Sequence, residues 1–386
     1  MHLPKKKYDT GATDTEIKIG NTMPYSGPAS AYGVIGRTEA AYFRKINAEG
    51  GINGRKIIFI SYDDALNPPK TVEQVRKLVE SDEVLLIFSP LGTASNSAVQ
   101  KYMNEKKVPQ LFISSGATKW NNPHDFPWTM GWQPNYQSEA RIYAKYILKE
   151  KPNARIAVLY QNDDYGKDYL KGLKAGLGDK AASMIVAEDA YDVTEPTIDS
   201  HIVKMKSLNA DVFVDITGAK FAAQAIRKAA QIGWKPLHVL NNVSSSVGMV
   251  IQPAGVAASQ GIISSYYMKD PTDPQWRSDP GMKEWNAFLD KYYPDANRTD
   301  GAVIYAYTVA QALEHVLNAC GDNLTRENVM KQAASIKDLE LGGLLPGIKV
   351  NTSATNFAPL SQLQLARFKG ETWERFGEII SADVGE

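Results

Sequence analysis

The sequence predicts an α/β protein made of two doubly wound lobes, each built on a parallel sheet. Short apolar runs alternate with stretches of helical period, and most runs end in a loop of small polar residues. This alternation occurs in two successive sets, the first ending near Trp120 and the second beginning near Arg155. The length of 386 residues also exceeds that of one ordinary domain.

The most informative stretch of the first set is Val84 to Trp120. The apolar runs Val84 to Phe88 and Gln110 to Ile113 predict buried strands, and the polar loops Ser89 to Ser95 and Ser114 to Thr118 follow them. Open α/β sheets bind ligands at the carboxyl ends of their strands, and the start of a helix favours an anion. Ordinary turns use the same residue types, so either loop alone fits both interpretations, whereas the pair favours binding.

The remaining elements of the first set follow the same rhythm. Strands are predicted at Glu16 to Asn21 and Lys56 to Tyr62, and helices at about 32–48, 67–80 and 97–107. The segment Asn121 to Tyr136 contains three prolines and several aromatic residues but no helical or strand period. We interpret it as a crossing between the lobes.

The second set predicts five strands, followed by elements that no longer alternate. The strands are predicted at 155–160, 184–187, 212–216, 237–240 and 261–265, with helices at about 137–150, 167–177, 196–208 and 221–232. Helices at 280–293, 299–319 and 325–336 and strand-like pieces at 348–351 and 363–368 finish the chain. This order indicates that each lobe is discontinuous in sequence.

Composition argues against several classes of function. The 43 basic and 43 acidic residues give a formal net charge of zero, which disfavours nucleic acid as a partner. No apolar run is long enough to span a bilayer, so we expect no insertion into the membrane. Cys320 is the only cysteine, which excludes a disulfide within the chain and a cysteine metal cluster. We interpret Met1 to Pro4 as a replacement for a removed leader peptide.

No motif for bond-making chemistry stands out, and we expect neither a cofactor nor a metal. The five histidines lack metal spacing, and no Walker loop, GxGxxG after a strand or GxSxG elbow is present. The pairs Asp63-Asp64 and Asp163-Asp164 follow strands, where they could hold a metal or act as acid and base. Adjacent residues at a strand end point in opposite directions, which favours turns or helix caps for these aspartates.

Six motifs carry a family resemblance: SGPASAYG at 26–33, INAEGGINGRKI at 46–57, YDDALNP at 62–68, SSGAT at 114–118, DDYGKDYLKGL at 163–173 and AIRKAAQIGW at 225–234. With them the chain resembles, over nearly its whole length, the periplasmic solute-binding proteins of ABC importers, in the branched-chain amino acid type. The resemblance implies a type I periplasmic-binding fold whose two lobes, joined by three crossovers, close on a ligand. We assign 1–134 and 268–344 to the N-terminal lobe, and 135–267 and 345–386 to the C-terminal lobe.

The resemblance also implies which residues bind the ligand. Its carboxylate would be held by the N-terminal lobe, through the loops that follow the third and fourth strands, while tyrosines of both lobes and two further loops complete the site. Together with Trp132, taken from the aromatic segment, and Asn242, taken from the loop after Leu240, the candidates are Tyr32, Gly92, Thr93, Ser95, Ser115, Gly116, Thr118, Tyr165, Thr217 and Gly218.

One departure from the family pattern predicts the class of ligand. Relatives that bind α-amino acids usually carry an acidic residue after the strand that ends here at Leu240, where it meets the ammonium group, but this chain has Asn241-Asn242. A buried ammonium without a counter-charge is costly, so we expect a carboxylate that lacks an amino group. Aromatic residues that could line the site indicate a flat or apolar ligand body: Trp128, Trp132, Tyr165 and Tyr267.

The leading hypothesis is therefore a monomeric, periplasmic binding protein that delivers an aromatic acid, of the benzoate or hydroxycinnamate type, to the membrane permease of an ABC transporter. The amide pair could hydrogen-bond a ring hydroxyl. Three alternatives remain open: a protein that binds branched-chain or other hydrophobic amino acids, a ligand-sensing receptor or regulator on the same fold, and an α/β enzyme. Turnover of a bound ligand would distinguish the enzyme.

Overall fold

The computed structural model describes residues 5–381, which form two compact units. Unit 1 comprises 5–133, Arg277–Ala296 and Ala302–Leu360. Unit 2 comprises Pro134–Trp276, Asn297–Gly301 and 361–381. Each unit is discontinuous in sequence, as the order of the predicted elements indicates.

Unit 1 extends further along the chain than the range 268–344 proposed from the sequence. It ends at Leu360 because the segment after Leu344 packs with the rest of unit 1. Val350 pairs with Leu339 in an antiparallel bridge, and the Thr352 hydroxyl accepts a hydrogen bond of 3.0 Å from the Ile336 N–H.

The strands and helices are numbered in chain order. The first segment contains β1 (Lys7–Tyr8), β2 (Glu16–Met23), α1 (Val34–Ala48), β3 (Lys56–Asp63), α2 (Pro68–Arg76), β4 (Leu86–Phe88), α3 (Thr93–Lys106), β5 (Gln110–Ile113) and β6 (Thr129–Gly131). The middle segment contains α4 (Tyr136–Glu150), β7 (Ile156–Gln161), α5 (Asp164–Leu177), α6 (Ala181–Met184), β8 (Ile185–Tyr191), α7 (Asp199–Ser207), β9 (Val212–Ile216), α8 (Ala219–Gln231), β10 (Leu237–Leu240), α9 (Gln252–Ala254) and β11 (Ile263–Tyr266). The last segment contains α10 (Pro280–Tyr292), α11 (Gly301–Cys320), β12 (Asn323–Leu324), α12 (Arg326–Ala333), β13 (Gln362–Lys369), β14 (Thr372–Arg375) and β15 (Ile380–Ser381).

Unit 1 is built on a five-stranded parallel sheet in the order β3-β2-β4-β5-β6. Helix α1 covers one face, where Phe43 packs against Phe59 and Phe88 with ring centroids 4.9 and 5.8 Å apart. Apolar residues of α2, α3 and β4, including Val75 and Val99, form a cluster on the other face. The strand order reverses direction between β2 and β4, so the carboxyl ends there are the expected ligand position.

Unit 2 repeats this order in the parallel strands β8-β7-β9-β10-β11. Alternate residues of β7 point to opposite faces: Ile156 and Val158 join the cluster of α4 and α5, while Ala157 and Leu159 join that of α7 and α8. Antiparallel strands extend the sheet, because β13 pairs with β11, β14 and β15. The two doubly wound lobes predicted from the sequence are confirmed, and this antiparallel edge is an addition to them.

Three local predictions were wrong. Thr129 to Gly131 form strand β6 inside the segment interpreted as having no strand, helix α3 begins at Thr93 rather than at Ser97, and Ile348 to Asn351 form only an isolated bridge. Strand β6 pairs with β5 despite its short length, so tertiary packing outweighs the local prolines and aromatic residues. Of the helices in residues 5–381, none combines the length and the hydropathy needed to cross a bilayer.

Close packing explains two glycines of the DDYGKDYLKGL motif. A Cβ on Gly166 would lie 2.0 Å from the Gln161 carbonyl oxygen, and one on Gly172 would lie 2.4 Å from the Gln137 carbonyl oxygen. Both obstacles are backbone atoms, so neither position has room for a side chain. These glycines let α5 pack closely against the end of β7 and against α4. The packing fixes the position of Tyr165, which lies in the first turn of α5.

Candidate functional site

In unit 1, the loops after β4 and β5 are joined by hydrogen bonds at the carboxyl edge of the sheet. The hydroxyl oxygens of Thr93 and Ser115 are 2.7 Å apart, and those of Ser89 and Ser114 are also 2.7 Å apart. The Gly92 N–H donates to the Ser114 carbonyl at 3.3 Å. The structure therefore brings the start of α3 next to the SSGAT loop, as the sequence predicts for neighbouring parallel strands.

The start of α3 offers hydrogen-bond donors without an internal acceptor. Gly92, the residue before the helix, has φ +113° and no side chain that could cap the first turn. The N–H groups of Thr93, Ala94 and Ser95 form that first turn and lack acceptors within the helix. In the neighbouring loop, the Gly116 N–H makes no hydrogen bond to any of residues 5–381. This edge has the donors and the dipole direction that suit an anion.

The other predicted residues of this edge differ in their surroundings. Ser115 is buried, and its hydroxyl oxygen accepts hydrogen bonds from the Trp120 Nε1–H at 3.0 Å and from the Ala117 N–H at 3.2 Å. Ser95 has a buried hydroxyl with no partner among the described residues. Thr118 opens a 3-10 turn and is half-buried, and Tyr32 lies half-buried in the turn that precedes α1. Ser115 thus shapes the loop, while Thr118 lies beside the Gly116 donor.

In unit 2, the loops after β9 and β10 meet around the Thr217 carbonyl. It accepts hydrogen bonds from Asn241 Nδ2 at 3.1 Å and from the Ser244 hydroxyl, and it lies 3.2 Å from the Tyr165 hydroxyl. The Tyr165 hydroxyl also donates to Asn241 Oδ1. Asn241 is 1% exposed, and both atoms of its amide are engaged within unit 2. The structure brings Tyr165 and Thr217 together through Asn241, whose amide was expected, as one of a pair, to bind a ring hydroxyl and is instead engaged inside unit 2.

The two remaining candidates in unit 2 are held by their neighbours. The Gly218 N–H donates to the Tyr191 hydroxyl at 3.0 Å. Asn242 is half-buried, and its Nδ2 donates to the Ser265 carbonyl. Asn242 Oδ1 makes no hydrogen bond to residues 5–381, so the amide retains one acceptor.

The aromatic residues suggested as a lining for the ligand are mostly core residues. Trp132 is fully buried and packs against Phe112 with ring centroids 5.1 Å apart, and its Nε1–H has no partner among residues 5–381. Tyr267 is buried within unit 2, whereas Trp128 is half-buried in unit 1. In this set, the hydroxyl of Tyr165 lies among the loops at the edge of the unit 2 sheet.

The acidic pairs serve local structure, in line with the interpretation as turns and caps. Asp163 caps α5 by accepting hydrogen bonds from the N–H groups of Tyr165 and Gly166. Although its partial burial opposes the shift, hydrogen bonds from Ser26 and Ala65 lower the pKa of Asp63 to about 2. Among residues 5–381, no group of three or more His, Cys, Asp or Glu side chains could hold a metal ion.

Glu139 is a residue of this edge that the sequence did not reveal. It lies in the first turn of α4, a position that acidic residues favour because of the helix dipole, so its sequence context gives no functional signal. In the structure it is 2% exposed, and its carboxylate accepts a hydrogen bond of 2.9 Å from the Asn242 N–H.

Comparison with known proteins agrees with this geometry. The model of the family described as periplasmic binding protein matches residues 16–372. A Leu/Ile/Val-binding protein homolog 7 of Brucella suis is 24% identical, with 93% of this chain and 89% of that protein aligned. The leucine-specific-binding protein of Salmonella typhimurium is 28% identical over 52% of this chain and 54% of its own length.

Solved structures share the fold at lower identity. A branched chain amino acid ABC transporter protein from Thermus thermophilus with bound valine has a TM-score of 0.85 at 16% identity, covering 96% of this chain and 97% of its own. A fatty acid ABC transporter substrate-binding protein from Thermomonospora curvata has a TM-score of 0.81 at 21% identity, covering 98% and 96%. With the family match over nearly the whole length, the chain belongs to the periplasmic binding protein family, and it has the type I fold.

Proposed function

We propose that this protein captures a small carboxylate that lacks an α-amino group, an aromatic acid of the benzoate or hydroxycinnamate type, and delivers it unchanged to the permease of an ABC transporter. It acts outside the cytoplasm, as its family does, and as a monomer. The backbone donors at the edge of unit 1 suit the carboxylate, and the loops at the edge of unit 2 offer amides rather than an acid.

Carboxylate binding is supported by the donors of unit 1. The first-turn N–H groups of α3 and the Gly116 N–H are not engaged by acceptors within residues 5–381, and Thr118 follows Gly116 by two positions. Charge-assisted hydrogen bonds from such groups to a carboxylate are about twice as strong as neutral ones. An uncharged ligand would leave the donors weakly satisfied, which makes the carboxylate the preferred group.

The single observation that carries the choice of ligand is the chemistry of the loop after β10. This loop contains two amide side chains and no carboxylate. Both polar atoms of the Asn241 amide already form hydrogen bonds inside unit 2. Glu139, the acid that contacts this loop, is buried and already accepts three hydrogen bonds. A ligand ammonium would therefore lose its hydration without gaining a counter-charge, which costs several kcal/mol, on the order of the penalty for an unpaired buried ion.

The acceptor left on Asn242 suits a ring hydroxyl. Its Oδ1 makes no hydrogen bond to residues 5–381, while its Nδ2 is held by the Ser265 carbonyl, which fixes the orientation of the amide. A phenolic hydroxyl is a hydrogen-bond donor at neutral pH and would satisfy this oxygen. We therefore favour a hydroxylated aromatic acid over a plain alkyl acid.

A second candidate is a branched-chain or other hydrophobic amino acid. It is favoured by the relatives whose names specify leucine, isoleucine and valine, and by the neighbour that holds valine. The neighbour that binds fatty acid shows that the same fold also serves a carboxylate without an amino group. We favour the first candidate because the loop after β10 lacks an acid that could pair with an ammonium.

Isothermal titration calorimetry distinguishes these candidates. We expect 4-hydroxycinnamate and benzoate to bind, with 4-hydroxycinnamate the tighter of the two because its hydroxyl reaches an unpaired acceptor, and we expect leucine to bind at least about tenfold more weakly than 4-hydroxycinnamate. Chromatography after several hours should recover the acid unchanged. Tight binding of leucine together with no binding of either aromatic acid would reject the proposal in favour of the amino acid.

A further inference from the structure

A buried carboxylate in unit 2 lies beneath the loop that follows β10. Glu139 Oε2 accepts hydrogen bonds from the Asn242 N–H at 2.9 Å and from the Tyr143 hydroxyl at 2.7 Å, and Oε1 accepts one from the Tyr169 hydroxyl at 2.7 Å. The side chain is 2% exposed. Both carboxylate oxygens are therefore occupied by groups of the protein, so Glu139 is not a direct ligand contact.

The same carboxylate reaches Tyr165 through Tyr169. The rings of Tyr165 and Tyr169 meet edge to face with centroids 5.5 Å apart, and Tyr136 stacks on Tyr169 at 4.4 Å. The Tyr165 hydroxyl in turn donates to Asn241. Glu139 thus anchors both parts of the unit 2 edge: the loop with Asn241 and Asn242 directly, and Tyr165 through the aromatic contact.

The end of β11 belongs to the same network. The Tyr143 hydroxyl, which donates to Glu139, is also 2.8 Å from the Ser265 hydroxyl, and the Ser265 carbonyl accepts from Asn242 Nδ2. Asn242 is consequently held at two points, its N–H by Glu139 and its side-chain amide by Ser265. An amide fixed at both ends keeps Oδ1 in one place.

From this geometry we infer that Glu139 is a positioning residue of the ligand site, which holds the 241–246 loop and the Asn242 amide in the orientation that recognises the ligand. That this loop binds a ligand rests on the proposed function. That Glu139 fixes the loop through the Asn242 N–H does not depend on it. Glu139 thus influences specificity through the position of the loop and does not contact the bound molecule.

The strength with which Glu139 fixes the 241–246 loop should depend on pH. Burial raises the pKa of Glu139 to about 7, against the lowering effect of the hydrogen bonds from Tyr143, Asn242 and Tyr169. The groups around the carboxylate are uncharged: tyrosines of α4 and α5, the Asn242 N–H and, beyond Tyr143, the Ser265 hydroxyl. No lysine, arginine or histidine within residues 5–381 forms an ion pair with it. When the loop opens, the Glu139 carboxyl is hydrated and its pKa falls towards the ordinary value. The closed loop therefore holds the proton more tightly, and opening becomes easier as the pH rises towards and through 7.

Hydrogen–deuterium exchange of the ligand-free protein tests the hold directly. In the wild type, exchange of the 241–246 amides, corrected for intrinsic rates, should rise more than about tenfold between pH 5.5 and pH 8. Glu139→Gln retains the shape but not the titration, so its corrected exchange should be the same at both values. Asp189→Asn, which removes another buried carboxylate of unit 2 that is paired with Lys204 and His201, should keep the wild-type pH dependence in this loop.

Binding of 4-hydroxycinnamate at pH 7 provides the second readout. Glu139→Leu, which removes every acceptor, should weaken binding at least about tenfold, whereas Glu139→Gln should stay within about threefold of the wild type. The inference is overturned if Glu139→Gln and the wild type show the same pH dependence of exchange at 241–246, or if a folded Glu139→Leu binds as the wild type does. If the wild type fails to bind 4-hydroxycinnamate, the proposed ligand is wrong, and the exchange measurement still decides the role of Glu139.

Discussion

Replacing Thr118 by alanine is expected to weaken binding of the carboxylate ligand more than tenfold while unit 1 remains folded. Thr118 opens the turn after β5, two residues beyond the unengaged Gly116 N–H, and is half-buried. Its hydroxyl would donate a charge-assisted hydrogen bond to the carboxylate, and loss of such a bond costs roughly 2 kcal/mol. Calorimetry with 4-hydroxycinnamate measures the change in affinity, and thermal denaturation verifies that the variant is folded.

Thr15→Ala is the matched control for Thr118→Ala. Thr15 is exposed and immediately precedes β2, so it lies at the amino-terminal edge of the same sheet, where no ligand is expected. Its replacement should leave affinity unchanged. If Thr118→Ala binds as tightly as Thr15→Ala, then Thr118 does not belong to the site.

Glu39→Gln should stabilise the protein at alkaline pH. Glu39 lies on the inner face of α1 and is 0% exposed. Burial raises the pKa of its carboxyl well above the usual range, although the nearby Ser89 hydroxyl opposes the shift. Because the folded protein holds this proton more tightly than the unfolded chain does, Glu39 stabilises the fold fully below the pKa of an unfolded glutamate. That contribution is lost as the pH rises towards the folded pKa.

The difference in the free energy of unfolding between Glu39→Gln and the wild type should therefore depend on pH. The free energies of unfolding should be nearly equal near pH 4.5, and the variant should be more stable by about 1–3 kcal/mol at pH 8. Urea denaturation at both values measures this difference. Glu73→Gln, at an exposed position on α2, should show no such divergence. Equal stability of Glu39→Gln and the wild type at pH 8 would contradict the assignment of Glu39 as a buried carboxyl with a raised pKa.

The sequence predicts the elements of this fold well where the pattern is local. The buried runs that become β4 and β5 are continuous and apolar, and the loops after them contain the small polar residues that begin α3 and the SSGAT turn. Asn67 before Pro68 predicts the start of α2, and the structure confirms it as a cap that accepts from the Lys70 N–H. Strand β6 was missed because its pairing with β5 is set by distant packing rather than by its own residues.

The residues of the site were harder to predict, because their hydrogen-bond partners are distant in sequence. Asn241 and Asn242 are adjacent and alike in sequence, yet one amide is consumed inside unit 2 and the other retains an acceptor. Glu139 is a typical acid of a helix start until the fold places it under a loop about a hundred residues away in sequence. Trp132, chosen as an aromatic near a predicted crossing, is enclosed with Phe112 in the core of unit 1. Such contacts depend on the tertiary fold, which the local pattern does not specify.

The central claim, recognition of a carboxylate without an ammonium, is tested most directly by ligand pairs that differ only in the amino group. Calorimetry would compare 3-phenylpropanoate with phenylalanine and 4-methylpentanoate with leucine. We expect the deaminated acid of each pair to bind at least about tenfold more tightly, because the ammonium would be desolvated beside amides alone. Tighter binding of the amino acid in both pairs would contradict it.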